Sequence, residues 1–205
     1  MKPTRRYYSI IDKVYQMENL QEAWKQVRAN KGSAGIDGET IQWFDFQQDQ
    51  NLREIQRFLI QNRYKPQPAL RHYIPKDNGK QRPLGIPTVR DRIVQQAVRQ
   101  KIEPLFDRAF YSYSYGFRKG HSQHQALATV KRAKRAGYEY VIDLDIQSYF
   151  DNISHAILMD KVREKIADGR ILDLIEGWLK AGIIEDAQFY GTNISSLQGG
   201  LSRRY

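Results

Sequence analysis

Two carboxylates stand two residues apart in the stretch Tyr138 to Ile153, at Asp143 and Asp145. Aromatic and β-branched residues surround them, which predicts a strand. Side chains alternate along a strand, so Tyr140, Ile142, Leu144 and Ile146 share one face and Val141, Asp143 and Asp145 the other. Burying two carboxylates on one face is costly unless a cation neutralises them. A hard divalent ion with oxygen ligands is the natural partner. A solvated sheet face accommodates the spacing equally well. The rings of Tyr149 and Phe150, just beyond the acids, favour a site.

A second chemical signal lies upstream. The runs Leu70–Pro75 and Gln81–Ile86 flank Asp77-Asn78-Gly79-Lys80, and Asn-Gly between such runs predicts a tight hairpin turn. Pro75 and Pro83 place these strands at a sheet edge. Lys76, Lys80 and Arg82 put cations on a stiff arm suited to gripping a triphosphate. An ideal two-residue turn at Asn78-Gly79 sets Lys76 and Arg82 on opposite faces, so their cooperation requires a bulge. A third signal is Phe110 to Gly120, an aromatic run closed by Arg118 and Lys119. Its composition suits a base-stacking platform, with Tyr115 and Phe117 expected in the core and Arg118 as the contact to nucleic acid.

The elements that position these residues are mostly helical. Leu20, Ala23, Trp24 and Val27 recur at helical spacing, as do Leu52, Ile55, Phe58 and Leu59. The glycine-rich segment Lys31 to Gly38 between them lacks P-loop spacing and reads as a turn needing positive φ. Thr88 with Asp91 has capping-box spacing before the stripe Val94, Ala97, Val98 and Ile102, and Pro104 is expected to end that helix. Ser122 with Gln125 opens another helix, which runs to Arg135 and stops at Gly137. Its cations Lys131, Arg132, Lys134 and Arg135 are explained by the helix dipole alone. Ser154 caps a further helix carrying Ile157, Leu158, Val162 and Ile166, and Ile171, Leu174, Ile175, Trp178 and Leu179 mark the next. His155 has no neighbour at ligand spacing and reads as structural.

The chain has 205 residues, no cysteine and a net charge of +10. A disulfide framework and a thiolate metal site are thereby excluded. No apolar run approaches the roughly 18 residues that span a bilayer. A soluble, cytoplasmic protein without a signal peptide is the expectation. The charge is concentrated: from Arg63 to Lys101 ten lysines and arginines face two aspartates. Interleaved with Tyr64, His72 and Tyr73, this pattern suits nucleic-acid binding by phosphate contact and ring stacking.

Taken together, the motifs resemble the reverse transcriptases encoded in bacterial group II introns, over roughly residues 10 to 200 and in that family's order. Asp145 to Ile153 looks like its first catalytic motif, the hairpin like its fingers hairpin, and the stretch Phe110 to Gly120 like its Ser-x-x-Ser-Tyr-Gly-Phe-Arg segment. The Gly35 to Gly38 loop is similar to one in its N-terminal extension, close to bound RNA. The resemblance implies an α+β fold made of the fingers and part of the palm of a right-hand polymerase. Residues 1–120 would be N-terminal extension and fingers, 121–152 a palm segment with the catalytic strand, 153–197 fingers helices, and 198–205 the start of the next palm segment.

It further implies RNA-directed DNA polymerase activity with Mg²⁺ as cofactor. Asp145 would be the catalytic metal ligand, with a second contact from the Ile146 backbone. Lys76 and Arg82 would clamp the nucleotide's phosphates, Phe150 would exclude a 2′-hydroxyl, and Gln198 would touch the incoming nucleotide. Lys80 and Arg118 are the expected nucleic-acid contacts. The expected partners are template and intron RNA, a DNA primer and a dNTP, with no membrane; a homodimer stays open.

The last segment departs from the pattern. In Gln198-Gly199-Gly200-Leu201-Ser202 a single residue separates Gly200 from Ser202, and the flanking prolines are replaced by Leu197 and Arg203. No Tyr-x-Asp-Asp occurs in residues 1–205. Two-metal phosphoryl transfer needs carboxylates from more than one strand to hold ions roughly 3.5–4 Å apart. Residues 1–205 alone are therefore expected to be inactive. A non-catalytic RNA-binding maturase remnant is the alternative reading. A nuclease using Asp143 and Asp145 is disfavoured because no His or Lys base lies nearby. Related retron or CRISPR-associated enzymes fit the N-terminal helices less well.

Overall fold

The computed structural model describes residues 6–75, 79, 81–147 and 149–191. Lys76, Lys80 and Gln198 lie outside them. Eight α-helices and four strands are present among the described residues, a mixed α/β arrangement. In chain order these are α1 Ile11–Val14, α2 Met17–Ala29, α3 Ile41–Phe46, α4 Gln48–Ile60, β1 Ala69–Pro75, β2 Gln81–Ile86, α5 Val89–Asp107, α6 Gln123–Arg135, α7 His155–Arg163, α8 Gly169–Lys180, β3 Ile183–Glu185 and β4 Gln188–Tyr190.

The stripes anticipated from spacing form the core. Leu20, Ala23, Trp24 and Val27 of α2 pack with Leu52, Ile55 and Leu59 of α4 and with Val94, Ala97 and Val98 of α5. Phe44 of α3 closes against Trp24, with ring centroids 4.6 Å apart. Ile166, Ile171 and Leu174 join the same cluster from the far end of the chain. Asp168 ties the two ends together. Its carboxylate accepts from the backbone N–H groups of Ile10 and Ile11 at 2.7 and 2.8 Å, and caps α8 at Arg170 and Ile171. Four donors on one buried carboxylate offset much of its desolvation.

The sheet runs β2-β1-β3-β4. β1 is antiparallel to β2, and β3 lies parallel to β1 through Ala69 and Leu70. Of the two proline-bearing strands expected at an edge, β2 lies there, whereas β1 is an inner strand that meets β3 through Ala69 and Leu70, at the end away from Pro75. Both N-caps work as expected: Thr88 accepts from Asp91 N–H at 3.0 Å, and Ser122 with Gln125 forms a reciprocal capping box. Helix α5 does not stop at Pro104, however, but continues to Asp107. Proline forfeits one helical hydrogen bond at a cost of about 3 kcal/mol. Leu105 and Phe106, packed on the core, supply the compensation.

Two further features differ from expectation. The hairpin register pairs Ile74 with Arg82 and Pro75 with Gln81, so five residues lie between Gln81 and its partner, where a two-residue turn at Asn78-Gly79 would leave four. The short hairpin β3–β4 has no signal in the sequence: its turn residues Asp186 and Ala187 both take positive φ, 49° and 64°, where alanine is disfavoured.

The largest difference concerns the segment Tyr138 to Gln147. No strand forms there, and every residue of it is exposed. A strand needs a neighbour to receive its N–H and C=O groups, and none pairs with it among the described residues. More broadly, no described residue between Arg99 and Leu158 is buried. Every buried residue therefore lies within residues 10–98 or 159–183; Ile102, Leu105 and Phe106 still pack against that core, and the described chain from there to Leu158 forms a solvated excursion.

Candidate nucleic-acid interface and metal-ligand segment

Asp145 and Asp143 lie in the exposed segment, and Asp145 enters no hydrogen bond or ion pair among the described residues. The side chains around them are apolar yet solvated: Tyr140 is 94%, Leu144 88% and Ile146 68% exposed. Just beyond, a 3₁₀ turn over Tyr149–Asn152 sets the ring of Phe150 edge-on to Tyr149, at 5.6 Å between centroids. An unpaired carboxylate followed by a backbone carbonyl at Ile146 has the donor chemistry a hard divalent ion takes. It is not a closed site, because no group of three or more His, Cys, Asp or Glu side chains could hold a metal among the described residues.

Arg82 is half-buried opposite Ile74. The observed register puts it on the face of β1 that carries Leu70, His72 and Ile74, which an Asn-Gly turn would not have done. The sheet's other face carries Arg71, whose Nε lies 3.8 Å from Glu185, and Tyr73, whose hydroxyl donates to Glu185. Glu185 thus fastens the β3–β4 hairpin to β1. Its acceptance of that hydrogen bond raises the Tyr73 phenol above its ordinary value.

The base of the hairpin is held rigidly. Asp91 in the first turn of α5 accepts from Thr88 Oγ1 at 2.8 Å, from Gln67 N–H at 3.2 Å and from the Tyr64 hydroxyl. Burial pushes both the Asp91 carboxyl and the Tyr64 phenol upward. The Lys31 to Gly38 loop is clamped to the same place. Arg92 Nη2 donates to the Ser33 carbonyl at 2.6 Å, and a Cβ on Gly35 would lie 2.7 Å from the Thr88 backbone. Close approach, not positive φ, requires Gly35; the positive φ of 72° falls on Gly38. Spacing alone had no means of revealing this contact between Gly35 and α5.

Arg118 differs most from the expected role. Its side chain is only 9% exposed and its donors are used internally. Nε donates to Asp107 Oδ1 at 2.7 Å, and Nη1 to the carbonyls of Tyr111 and Ser114, each at 2.8 Å. The Arg118 hydrogen bond holds the Asp107 carboxyl below its usual range. Arg118 is positioned to organise the aromatic loop, not to reach out of it. Within that loop Tyr115 is half-buried and shares a 2.7 Å hydrogen bond with Thr129, whereas Phe117 is exposed at φ 56°, contrary to its expected place in the core.

Among the described residues no helix is long and apolar enough to cross a membrane. Residues 74–199 match the family model described as reverse transcriptase (RNA-dependent DNA polymerase). The chain is 38% identical over 205 residues to Protein YkfC of Escherichia coli (strain K12), covering 97% of this chain and 54% of that protein. It is 36% identical over 221 residues to the group II intron-encoded protein LtrA of Lactococcus lactis subsp. cremoris, covering 98% of this chain and 36% of that one. The chain thus spans about half the length of the first relative and a third of the second. A solved structure titled as a partial Cas6-RT-Cas1–Cas2 complex shares the fold, with a TM-score of 0.61 at 22% identity, over 94% of this chain and 32% of that one. The family model covers more than half of the chain, from the hairpin through the Asp145 segment, and the chain belongs to the reverse transcriptase family.

Proposed function

We propose that this chain supplies the template-gripping fingers and the first metal-ligand segment of a group II intron-type RNA-directed DNA polymerase. The observation that carries the reading is Asp145, unpaired and followed five residues later by Phe150, within the region matched by the reverse transcriptase family model. Asp145 and the Ile146 carbonyl would hold Mg²⁺ as oxygen ligands, and the bound ion would supply charge stabilisation for nucleotidyl transfer. Arg82, with Lys76 and Gln198, binds the incoming nucleotide. Phe150 fills the space a 2′-hydroxyl would need. Lys80 contacts nucleic acid, while Arg118 acts on it indirectly through the loop it organises.

The solvated apolar side chains of Tyr138 to Ile146 support a further element of the reading. A strand carrying Asp145 becomes stable only when polypeptide beyond these residues pairs with it and brings additional carboxylates. The second reading, a splicing RNA-binding protein, is favoured by the basic segment from Arg63 to Lys101. The experiment that separates the two is primer extension by a chain extended through a second acidic palm segment and a thumb. Asp145→Ala is expected to lower its rate by at least about three orders of magnitude. Unchanged extension in that variant refutes the assignment.

A further inference from the structure

The loop between α5 and α6 presents a feature that neither metal ligation nor nucleotide binding uses. The rings of Tyr111 and Tyr113 stack on each other at 5.1 Å between centroids and 5° between planes. Both remain open to solvent, at 70% and 66% exposure. An exposed stacked pair on a flexible loop would lose its ordering entropy for little gain. Here the loop is not left to itself. One nitrogen of Arg118 binds the carbonyls of both Tyr111 and Ser114, the residues that bracket Ser112 and Tyr113. Ser114 N–H also returns to the Tyr111 carbonyl at 3.0 Å, and the Arg118 guanidinium lies 5.4 Å from the Phe110 ring centroid. The pair is therefore preorganised, which lowers the cost of any ligand that stacks on it.

The surroundings indicate which ligand that is. Arg108 and Lys119 flank the loop in sequence, and Tyr115 leads from it into an open cleft lined by His121, Gln125, Lys131, Arg132 and Arg135. Flat rings beside a run of cations match the alternation of base and phosphate in a single strand. A duplex keeps its base faces stacked internally and offers them nothing.

We propose that Tyr111 and Tyr113 form a base-stacking platform for single-stranded nucleic acid whose phosphates continue along the Lys131–Arg135 face of α6. This rests on the reading of the chain as a nucleic-acid-binding fingers body, and it adds a second contact surface outside the hairpin.

The test is fluorescence anisotropy with a labelled twelve-nucleotide oligouridylate and its abasic counterpart, at several salt concentrations, on the complete chain. The Tyr111→Ala/Tyr113→Ala variant is expected to bind the oligouridylate about five- to 150-fold more weakly for each base that stacks. Its slope of log affinity against log salt should match the parent's, because no phosphate contact is lost. Lys131→Ala/Arg132→Ala should instead flatten that slope by about 0.7 for each phosphate contact removed. Tyr111→Trp/Tyr113→Trp should keep parental affinity, separating stacking from loop folding. The abasic strand should bind the parent and the alanine variant equally. Parental affinity for the oligouridylate in the alanine variant overturns the platform while leaving the nucleic-acid reading intact. Failure of the parent to bind either strand overturns both.

Discussion

Arg118 and Asp107 show how a functional surface depends on a pair that never touches a ligand. The Asp107 carboxyl is held below its usual range by Arg118, so its ionised form favours the folded loop. For an acid with a depressed folded value, that contribution is complete above the ordinary carboxylate range near 4 and is lost as pH falls through the lowered value. The stability advantage of the parent over Asp107→Asn should be constant from pH 7 to about 5 and shrink below 4, as read by urea unfolding at each pH. Phe150 carries a second expectation. In the extended enzyme, Phe150→Ala should lower the ratio of deoxyribo- to ribonucleotide incorporation, because alanine leaves room for the 2′-hydroxyl. An unchanged ratio makes the ring a packing residue only. At this scale motif spacing singled out Asp145, Phe150 and Arg82 as candidates. It could not show that Arg118 spends its donors on Asp107, Tyr111 and Ser114, because those bonds depend on how the loop closes.

Elements whose partners are local in sequence were legible, and those whose partners are distant were not. Helices α2, α4 and α5 announce themselves by apolar spacing, and the Thr88 and Ser122 caps by the residues three positions on. The hairpin was anticipated but its register was off by one, since Asn78-Gly79 signals a two-residue turn and Ile74 in fact faces Arg82. The segment at Tyr138 has strand composition without a strand, because composition cannot provide a hydrogen-bonding neighbour. Two substitutions test how the elements are locked. Gly35→Ala forces a Cβ against the Thr88 backbone at 2.7 Å, and should cost about 1–3 kcal/mol by lowering the urea midpoint at unchanged m. Asp168→Ala strands the N–H groups of Ile10 and Ile11 and uncaps α8, and should cost about 2–4 kcal/mol by the same measurement. Parental stability in either variant would mean the joint it closes is not a constraint on the fold.

At the scale of the whole molecule, a well-packed body carries a solvated excursion that holds Asp145. The basic segment from Arg63 to Lys101 precedes the Asp145 segment and does not depend on it, so RNA binding should survive without chemistry and weaken steeply with salt, by about 0.7 in log affinity per log salt for each phosphate contacted. Chemistry is a different matter, because one aspartate cannot fix two ions in line with a primer terminus. The decisive measurement is primer extension on an RNA template with Mg²⁺, comparing residues 1–205 with the chain extended through a second acidic palm segment. Extension only by the longer protein, abolished there by Asp145→Ala, is the predicted result. Extension by residues 1–205 alone that disappears in Asp145→Ala would contradict it, and would place a complete site within the chain or between two copies of it.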